Sequence, residues 1–276
     1  MAHPIETVEE CPPITPEAGS VATAQSRIPS RIRQRVKRML KPASRLDAVY
    51  RRLPAEGSVL DVGCLGFSQV EIAKQAGRPD LRHFGIDYCD RSARLPAGYV
   101  FRLADLNREP IPYDSESFDL VVASHVLEHL REPLAFVAEC VRVAKPGGFI
   151  YVATPSERSL FAPGMFFGYE YFASLSFFDD PTHLGRPWTP QSLYRLAEYY
   201  ECEAEDCGYF WSWICRVAAP LLLLYARVAR NPVLFQQVWW YSVGWESYGV
   251  IRVPSSKRNV HFTYGLPPAS KCPTVH

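Results

Sequence analysis

The amino-acid sequence predicts an α/β protein whose central sheet is mostly parallel. Between residues 58 and 153, short apolar runs of strand length alternate with helical patterns, as they do in successive βαβ units. The first run ends in a turn that contains glycine, which lets the backbone approach a ligand closely at the carboxyl end of a strand. The 276 residues suffice for one such domain of ordinary size plus extensions.

The chain begins and ends with segments that lie outside this alternation. Residues 1–26 are rich in Pro, Glu, Ser and Thr and predict a disordered tail, and the Pro-rich residues 254–276 form a C-terminal tail. Residues 27–52 hold ten Lys or Arg and one acid, Asp47. Apolar side chains recur there every four residues: Ile28, Ile32, Val36 and Leu40. This pattern predicts a basic amphipathic helical segment, broken by Pro42.

The basic segment has three alternative roles. As an amphipathic helix it could cover the edge of the core. Residues 27–41 could instead lie on a membrane surface that carries anionic lipid. Nucleic acid is the least favoured partner, because no aromatic side chains interleave with these charges and the net charge of the chain is only +1.

Five strands and two helices are predicted in the alternating region. The first helix is Ser68–Ala76, and the second follows the fourth strand and ends at Val143. Lys145–Gly148 is predicted to be a turn before the fifth strand. The strands are Ser58–Val62, His83–Asp87, Tyr99–Leu103, Phe118–Ala123 and Phe149–Ala153.

The sequence after the fifth strand is less regular. Residues 156–190 contain nine aromatic side chains without a clear period and are predicted to form a lid. Gln191–Tyr200 predicts a helix and Cys202–Phe210 a strand. Tyr248–Val253 predicts a last strand, so residues 211–245 would be a helical and aromatic insertion before it.

Composition and cysteine usage favour a cytoplasmic protein. Apolar residues make up 47% of the chain and charged residues 21%, the balance of a soluble globular protein. The eight cysteines include no C-x-x-C pair, so neither a disulfide framework nor a metal knuckle is indicated. The N-terminal sequence lacks the order of a secretory signal. The apolar stretch Trp211–Ala229 is interrupted by Arg216, Pro220 and Arg227 and is too short to span a bilayer.

Acidic side chains follow the first three strands. Asp61 and Gly63 lie where the first strand ends, Asp87 ends the second strand, and Asp105 follows the third. An acid at the end of the second strand can accept hydrogen bonds from both hydroxyls of a ribose. No G-K-[ST] follows the glycine turn, and the turn has too few glycines for a pyrophosphate. The pattern therefore favours a nucleoside ligand without phosphates.

Six short segments stand in an order and spacing that resembles the class I S-adenosylmethionine-dependent methyltransferases. They are VLDVGC, GID, AD, FDLVVASHVLEHL, RVAKPGG and VATP. More narrowly, they resemble the bacterial group that methylates small molecules and sugars. The resemblance runs from about Gly57 to Tyr209, with a weaker match at 248–253. It implies a Rossmann-like fold, with a mostly parallel seven-stranded sheet and helices on both faces, and a methyltransferase domain over residues 53–253.

The resemblance also implies where S-adenosylmethionine binds. The segment at Asp61 and Gly63 would hold the methionine part, Asp87 the ribose and Asp105 the adenine amino group. The predicted cofactor-binding residues are Asp61, Gly63, Cys64, Gly66, Asp87, Asp105, Ser124 and His125. The last two would line the site after the fourth strand.

The glycine turn departs from the family's D-x-G-x-G-x-G pattern. Leu65 and Phe67 stand where glycines are expected, unless a one-residue deletion lets Gly66 serve as the second glycine. The alternative to an active enzyme is therefore a degenerate, non-catalytic scaffold that keeps the fold and binds a partner through the basic segment.

Three side chains after the fourth strand have metal-ligating chemistry. His125, Glu128 and His129 would share one face of a helix and could meet a metal ion. Family members carry Glu-His at this place without a metal. No metal site is predicted, and a structural or pocket-wall role is favoured.

The segment from Asp179 to Pro190 resembles the D-P-x-H and [FW]-T-P-x-S-L pattern of the same bacterial group. It would place Asp180 and His183 on a loop over the pocket. His183 is the candidate general base for an acceptor hydroxyl, with Asp180 as the residue that orients it. Alternatively, the histidine fixes the loop through a hydrogen bond with the carboxylate.

The sequence thus predicts methyl transfer to a small-molecule or glycan acceptor, at a hydroxyl oxygen. The acceptor could be lipid-linked, with peripheral membrane contact through residues 27–41 and 211–245. The tryptophans of the second segment could form a substrate mouth, a dimer contact or an interfacial belt.

Overall fold

The computed structural model describes residues 45–161 and 176–255. The predictions for the N-terminal tail, for most of the basic segment, for the centre of the lid and for most of the C-terminal tail lie outside the described residues. Within these two ranges, no helix combines the length and the apolar character that crossing a membrane requires.

The sheet has seven strands. In chain order they are β1 (Ser58–Val62), β2 (Arg82–Asp87), β3 (Val100–Leu103), β4 (Phe118–Ser124), β5 (Ala144–Pro155), β6 (Glu203–Phe210) and β7 (Glu246–Arg252). Their order in the sheet is β3-β2-β1-β4-β5-β7-β6. β7 is antiparallel to both of its neighbours, and the other neighbouring strands are parallel. The predicted Rossmann-like, mostly parallel seven-stranded sheet is confirmed.

Helices cover both faces of this sheet. The described residues form α1 (Arg45–Arg52), α2 (Ser68–Gln75), α3 (Pro133–Val143), α4 (Pro190–Tyr199), α5 (Trp213–Val228) and α6 (Pro232–Val243). One apolar cluster contains Phe136 of α3 and Leu193 of α4, and a second contains Tyr50 of α1. The β1 neighbours Leu60 and Val59 belong to the first and second cluster respectively, because successive side chains of a strand point to opposite faces.

The helix predicted to follow the fourth strand directly is wrong in its first part. His125 has φ +57°, a 3-10 turn spans Leu127–His129, and α3 begins only at Pro133. Proline lacks a backbone N–H and is favoured at the first helical position, which fixes where α3 begins. His125, Glu128 and His129 therefore do not share one face of an α-helix.

The predicted turn Lys145–Gly148 falls within the span of β5, but its residues do not pair with β4, since the pairing passes from Ala144 to Phe149. The pairing of β4 with β5 shifts its register between Phe118 and Leu120, and Gly147 has φ +76°. The irregularity that the sequence signalled is thus a bend within a strand rather than a break between two elements.

A hairpin of two helices, α5 and α6, lies between β6 and β7, in the segment where the sequence predicts an insertion. The backbone N–H of Ser212 donates to the carbonyl of Tyr241 (2.8 Å) and joins the two ends of the hairpin. Since β7 is antiparallel to β5 and β6, the hairpin leaves the sheet at the edge where the parallel strands end. This edge is called the carboxyl edge below.

Candidate functional site

The turn after β1 is hydrogen-bonded to the end of β2 and lies close to the residues that follow β4. The backbone N–H groups of Gly63 and Cys64 both donate to the carbonyl of Ile86, at 2.8 and 3.2 Å. Gly63 has φ +71°, and a Cβ there would lie 3.1 Å from Cγ2 of Val126, which follows β4. Glycine is needed because other residues avoid this conformation and this close approach. The turn therefore sits between β2 and β4 at the carboxyl edge.

Asp61 is a buried carboxyl group beside this turn. It is 4% exposed, and within the described residues its side chain makes no hydrogen bond. Burial raises the pKa of Asp61 to about 8, and the nearby Asp87 adds to the shift. A buried carboxylate without partners is costly, and a cationic ligand group would relieve that cost. This environment fits the methionine part of the predicted cofactor, which carries an ammonium group and a sulfonium.

Asp87 ends β2 and is also buried. Its Oδ1 accepts a hydrogen bond from the backbone N–H of Cys89 (2.9 Å), and its Oδ2 lies 3.7 Å from Nε of Arg91. Burial raises the pKa of Asp87, and these two neighbours oppose the shift. Each carboxylate oxygen keeps a lone pair for a further donor, so ribose hydroxyls fit here.

Asp105 lies two residues after β3 and is more open to solvent. Its Oδ1 accepts from the backbone N–H of Asn107 (3.0 Å), and its Oδ2 lies 3.1 Å from Nε of Arg108. The Oδ1 of Asn107 in turn accepts from the backbone N–H of Arg131, which connects this loop to the segment after β4. The proposed contact of Asp105 with an adenine amino group stays a prediction.

The turn after β1 has a left-handed backbone even at a position where the sequence has no glycine. Phe67 has φ +51° and stands at the N-terminal cap of α2, where its ring packs edge-to-face on Tyr99 at 4.9 Å. Leu65 is half exposed, and its N–H donates to the carbonyl of Gly63 (2.8 Å). A Cβ added at Gly66 would meet no atom within 4 Å. The non-glycine residues therefore preserve a turn with left-handed backbone at Gly63 and at Phe67.

His125 is held between two carboxylates. Its Nδ1 lies 3.2 Å from Oε1 of Glu128, and its Nε2 lies 3.5 Å from Oε2 of Glu246. Burial lowers the pKa of His125, but both glutamates favour the charged form and together raise it to about 10. His125 follows Ser124 at the end of β4, and its N–H donates to the carbonyl of Ala153 (2.8 Å). The two carboxylates therefore favour the charged imidazolium, although the side chain is 42% exposed.

Glu128 is a buried carboxylate that contacts both His125 and Thr154. Its Oε2 accepts a hydrogen bond from Oγ1 of Thr154 (3.0 Å), and its Oε1 faces His125. Burial alone would raise the pKa of Glu128, but the hydrogen bond and charge of His125 lower it. Ligand atoms of Glu128, His129 and His183 lie within 4.8 Å of one another, a different trio from the one the sequence suggests. The absence of a metal site stays a prediction.

His183 lies on a loop that is bound to the segment after β4. The backbone N–H of Leu184 donates to the carbonyl of Glu128 (2.8 Å). Nδ1 of His183 lies 2.6 Å from the carbonyl oxygen of Phe177, and the imidazole ring contacts the rings of Phe177 and His129 at 4.5 and 4.9 Å. A carbonyl can only accept, so Nδ1 is the protonated nitrogen and Nε2 keeps its lone pair in the neutral ring.

Asp180 lies on the other side of the same ring. Its Oδ2 is 3.9 Å from Nε2 of His183, and its Oδ1 accepts from the N–H and the hydroxyl of Thr182 at 2.8 and 2.6 Å. The carbonyl of Phe177, rather than Asp180, therefore makes the hydrogen bond that orients the imidazole. Burial opposes the charge on Asp180, but the Thr182 hydrogen bonds and the histidines lower its pKa.

Sequence reasoning missed two partners in this site. The carbonyl of Phe177 carries no side-chain signal, so only the structure shows that it fixes His183. Glu246 reaches His125 because β7 is antiparallel to β5, which pairs Glu246 with Pro155 at the carboxyl edge. An acid at the start of the last strand was a usable signal once the strand order was assumed.

Comparison with known proteins agrees with this geometry. A family model described as a methyltransferase domain matches residues 60–152. The chain is 38% identical over 128 residues to a Mycolicibacterium smegmatis protein named a probable S-adenosylmethionine-dependent methyltransferase, covering 44% of this chain and 47% of that protein. It is 30% identical over 173 residues to the ubiquinone biosynthesis O-methyltransferase of Neisseria meningitidis, covering 59% of this chain and 71% of that protein.

A solved structure supports the fold. A chain from the complex between the Haloferax volcanii Trm112 methyltransferase activator and a methyltransferase superimposes with a TM-score of 0.53 and 16% identity. The match covers 76% of this chain and 88% of that one. At this identity the likeness concerns the fold alone.

The sheet order, the acids at the carboxyl edge and these relatives define the class. The chain belongs to the class I S-adenosylmethionine-dependent methyltransferases, as the sequence predicts. The cofactor of this class is S-adenosylmethionine. The chain spans about half the length of the first relative it matches, 47%, so its own acceptor and activity are matters for proposal.

Proposed function

We propose that this protein transfers a methyl group from S-adenosylmethionine to a hydroxyl oxygen of a small-molecule or glycan acceptor. The cofactor supplies a methyl group on a sulfonium, and the oxygen displaces the sulfide in line. The acceptor proton passes to Nε2 of His183, the new bond joins oxygen to the methyl carbon, and S-adenosylhomocysteine leaves. We propose residues 53–253 as the domain that carries the reaction, and the cytoplasm as its location.

The observation that carries the base assignment is the hydrogen bond between Nδ1 of His183 and the carbonyl of Phe177. It fixes the tautomer and the ring orientation, so a lone pair stands at Nε2. Proton transfer to such a positioned base contributes about 100-fold to 10,000-fold to a rate.

Asp180 supports the charged product of that step. Once Nε2 has taken the proton, the imidazolium lies 3.9 Å from a carboxylate whose pKa is already lowered. The carboxylate is held in place by Thr182, so its position does not depend on the histidine. Asp180 therefore acts here as a positioned counter-charge.

The choice of oxygen as the methylated atom is supported by the relatives. The Neisseria relative is named an O-methyltransferase. A hydroxyl group also loses its proton as the methyl group arrives, and in this proposal His183 accepts that proton. Among acceptors of this kind we favour lipid-linked molecules, since α5, which follows β6 at the carboxyl edge, exposes apolar side chains.

The test follows methyl transfer from isotopically labelled cofactor to a panel of hydroxylated acceptors. His183→Asn should lower kcat about 100-fold or more, while the Kd for S-adenosylmethionine stays unchanged. His129→Asn removes the neighbouring imidazole, which bonds Thr182 (3.0 Å), and should lower kcat by less than His183→Asn does. Wild-type kcat in His183→Asn would overturn the base assignment.

The alternative function is a scaffold that keeps the fold without the reaction, motivated by Leu65 and Phe67 in the glycine turn. Calorimetry separates the two functions. Failure to bind S-adenosylmethionine at about millimolar concentration would favour the scaffold, and methylated product from any acceptor would exclude it.

A further inference from the structure

The helix α5 exposes a continuous row of apolar side chains. Five of them are more than half exposed, and their spacing of four, four, three and four residues keeps them on one face. They are Trp213, Val217, Leu221, Leu224 and Val228. The opposite face is buried through Cys215 and Ala226. We call this row the α5 stripe. An exposed apolar patch of this kind normally marks a surface that meets a partner.

The charges around the stripe have one sign. Residues 211–245 contain three arginines, Arg216, Arg227 and Arg230, and neither an acid nor a lysine. Arg216 and Arg227 are separated by three helical turns, so they lie on the same side of α5 and flank the stripe. Both are exposed. An apolar face bordered by arginine is the pattern of a helix that lies in the plane of a membrane surface.

The α5 stripe lies on the α5–α6 hairpin, and the chain contacts His125 shortly after this hairpin ends. The α5–α6 hairpin leaves the sheet at the carboxyl edge, where β6 ends and β7 begins. Trp245 lies two residues after the end of α6, and its ring lies 6.1 Å from that of His125 and stacks on Trp240 at 4.4 Å. The stripe is therefore carried by a hairpin whose base lies at the β6–β7 end of the carboxyl edge, near His125.

We propose that the α5 stripe docks on a lipid bilayer that carries anionic headgroups. The apolar side chains enter the boundary between headgroups and acyl chains, and the flanking arginines pair with lipid phosphates. Trp211 and Trp213, at the beginning of the helix, are suited to the same boundary because an indole has an apolar body and a polar N–H. Docking in this way presents the carboxyl edge to an acceptor held in the bilayer.

The charges of the hairpin favour a bilayer over a second copy of the chain. A complementary protein surface would need acids opposite the arginines, and the hairpin itself has none to offer to its own copy. The helix is also only 16 residues long and contains Pro220, so it can lie on a bilayer but cannot cross one.

The test is flotation of the full chain with vesicles made from equal parts of phosphatidylglycerol and phosphatidylcholine, and with vesicles of phosphatidylcholine alone. The wild type should float with the anionic vesicles, and added salt should weaken that binding. Leu221→Glu/Leu224→Glu should lose at least about tenfold in partition coefficient. Leu134→Glu/Tyr194→Glu adds the same charge at exposed apolar positions on α3 and α4 and should float like the wild type.

Three results would overturn the proposal. One is a wild type that stays in the soluble fraction with anionic vesicles, and another is equal flotation of the two double variants. The third is a lipid-free wild-type dimer that Leu221→Glu/Leu224→Glu converts to monomer, which would assign the stripe to a second copy. Binding of S-adenosylmethionine by each variant reports folding, and flotation needs no turnover, so a failed docking test is distinct from a failed reaction.

Discussion

Two buried carboxyl groups at the carboxyl edge have opposite electrostatic environments. Asp61 is 4% exposed and Glu128 is 1% exposed. Burial raises the pKa of Asp61, with Asp87 adding to the shift, whereas hydrogen bonding and charge from His125 outweigh burial and lower the pKa of Glu128. Around His125 and Glu128, which we call the histidine side of the site, the protein pairs opposite charges with each other. Around Asp61 and Asp87, which we call the cofactor side, it leaves a carboxyl group whose charge a cationic ligand can stabilise.

The largest effect that would test this comparison is the pH dependence of stability due to Asp61. Its folded-state pKa of about 8 is above the unfolded value of about 3.9, so the folded state binds the extra proton between these pH values. Stability from this group is therefore present below about pH 4 and is lost as pH rises through about 8, on the order of 5 kcal/mol.

Asp61→Asn should remove this part of the pH dependence, and denaturant unfolding at several pH values would measure it. The relevant quantity is the difference between wild type and variant in the free energy of unfolding. Asp114→Asn, at an exposed carboxyl group, is the control and should leave the pH dependence as it is. If the difference is flat with pH, Asp61 is ionised and partnered, and the contrast with Glu128 does not hold.

The second effect concerns cofactor affinity. We propose that Asp87 accepts two hydrogen bonds from the cofactor ribose, so we expect Asp87→Ala to raise the Kd for S-adenosylmethionine about 100-fold. Calorimetry measures it, with Asp90→Ala as an exposed control in the same loop. Asp87→Asn, which keeps an acceptor for the N–H of Cys89, should lose less. An unchanged Kd in Asp87→Ala would place the ribose elsewhere.

The cofactor side was the more predictable of the two from sequence. Its acids follow apolar runs that are recognisable as strands, and parallel strands end at one edge, so Asp61 and Asp87 had to lie near each other. Gly63 was identifiable for the same reason, because the turn needs a positive φ. The number of strands and their mostly parallel arrangement came from the family resemblance rather than from local pattern, and their order came from the structure.

The histidine side was less predictable for physical reasons. His125 adopts a left-handed conformation that the apolar periodicity of the segment does not show, and this breaks the helical spacing assumed for Glu128 and His129. The partners that set the behaviour of His125 and His183 are a carboxylate from the last strand and a backbone carbonyl. Both depend on tertiary pairing rather than on local sequence.

A third, smaller effect tests the charge pair between His125 and Glu128. Glu128→Gln keeps the shape but removes the charge opposite His125, and we expect about 2 kcal/mol less stability. The pKa of His125 should fall from about 10 toward its ordinary value, as read from its ring resonances by NMR. Because that pKa is raised, its stabilising contribution is present below about pH 6.5 and is lost as pH rises through about 10.

Glu132→Gln, at an exposed position before α3, is the control for this variant and should change neither quantity. A His125 pKa that stays near 10 in Glu128→Gln would show that Glu246 alone holds the charge. In that case the histidine side depends on the last strand rather than on the segment after β4.

The smallest effect concerns the turn that joins the two sides. Phe67 has φ +51°, which costs a residue with a Cβ about 1 kcal/mol, and its ring packs on Tyr99, which contributes about the same. Phe67→Gly removes both contributions, so we expect the free energy of unfolding to change by less than about 1 kcal/mol. Phe67→Leu keeps the backbone cost but loses the aromatic contact, so it should be the less stable variant.

Cofactor affinity in Phe67→Gly should stay within about threefold of the wild type, because glycine would adopt the backbone conformation that Phe67 already has. A Kd that improves tenfold or more would mean that the ring obstructs the turn. The cofactor side would then be limited by shape as well as by charge, and its irregular sequence would count against efficient binding. An unchanged Kd would instead show that the left-handed backbone at this position, rather than the absence of a side chain, is what the turn requires.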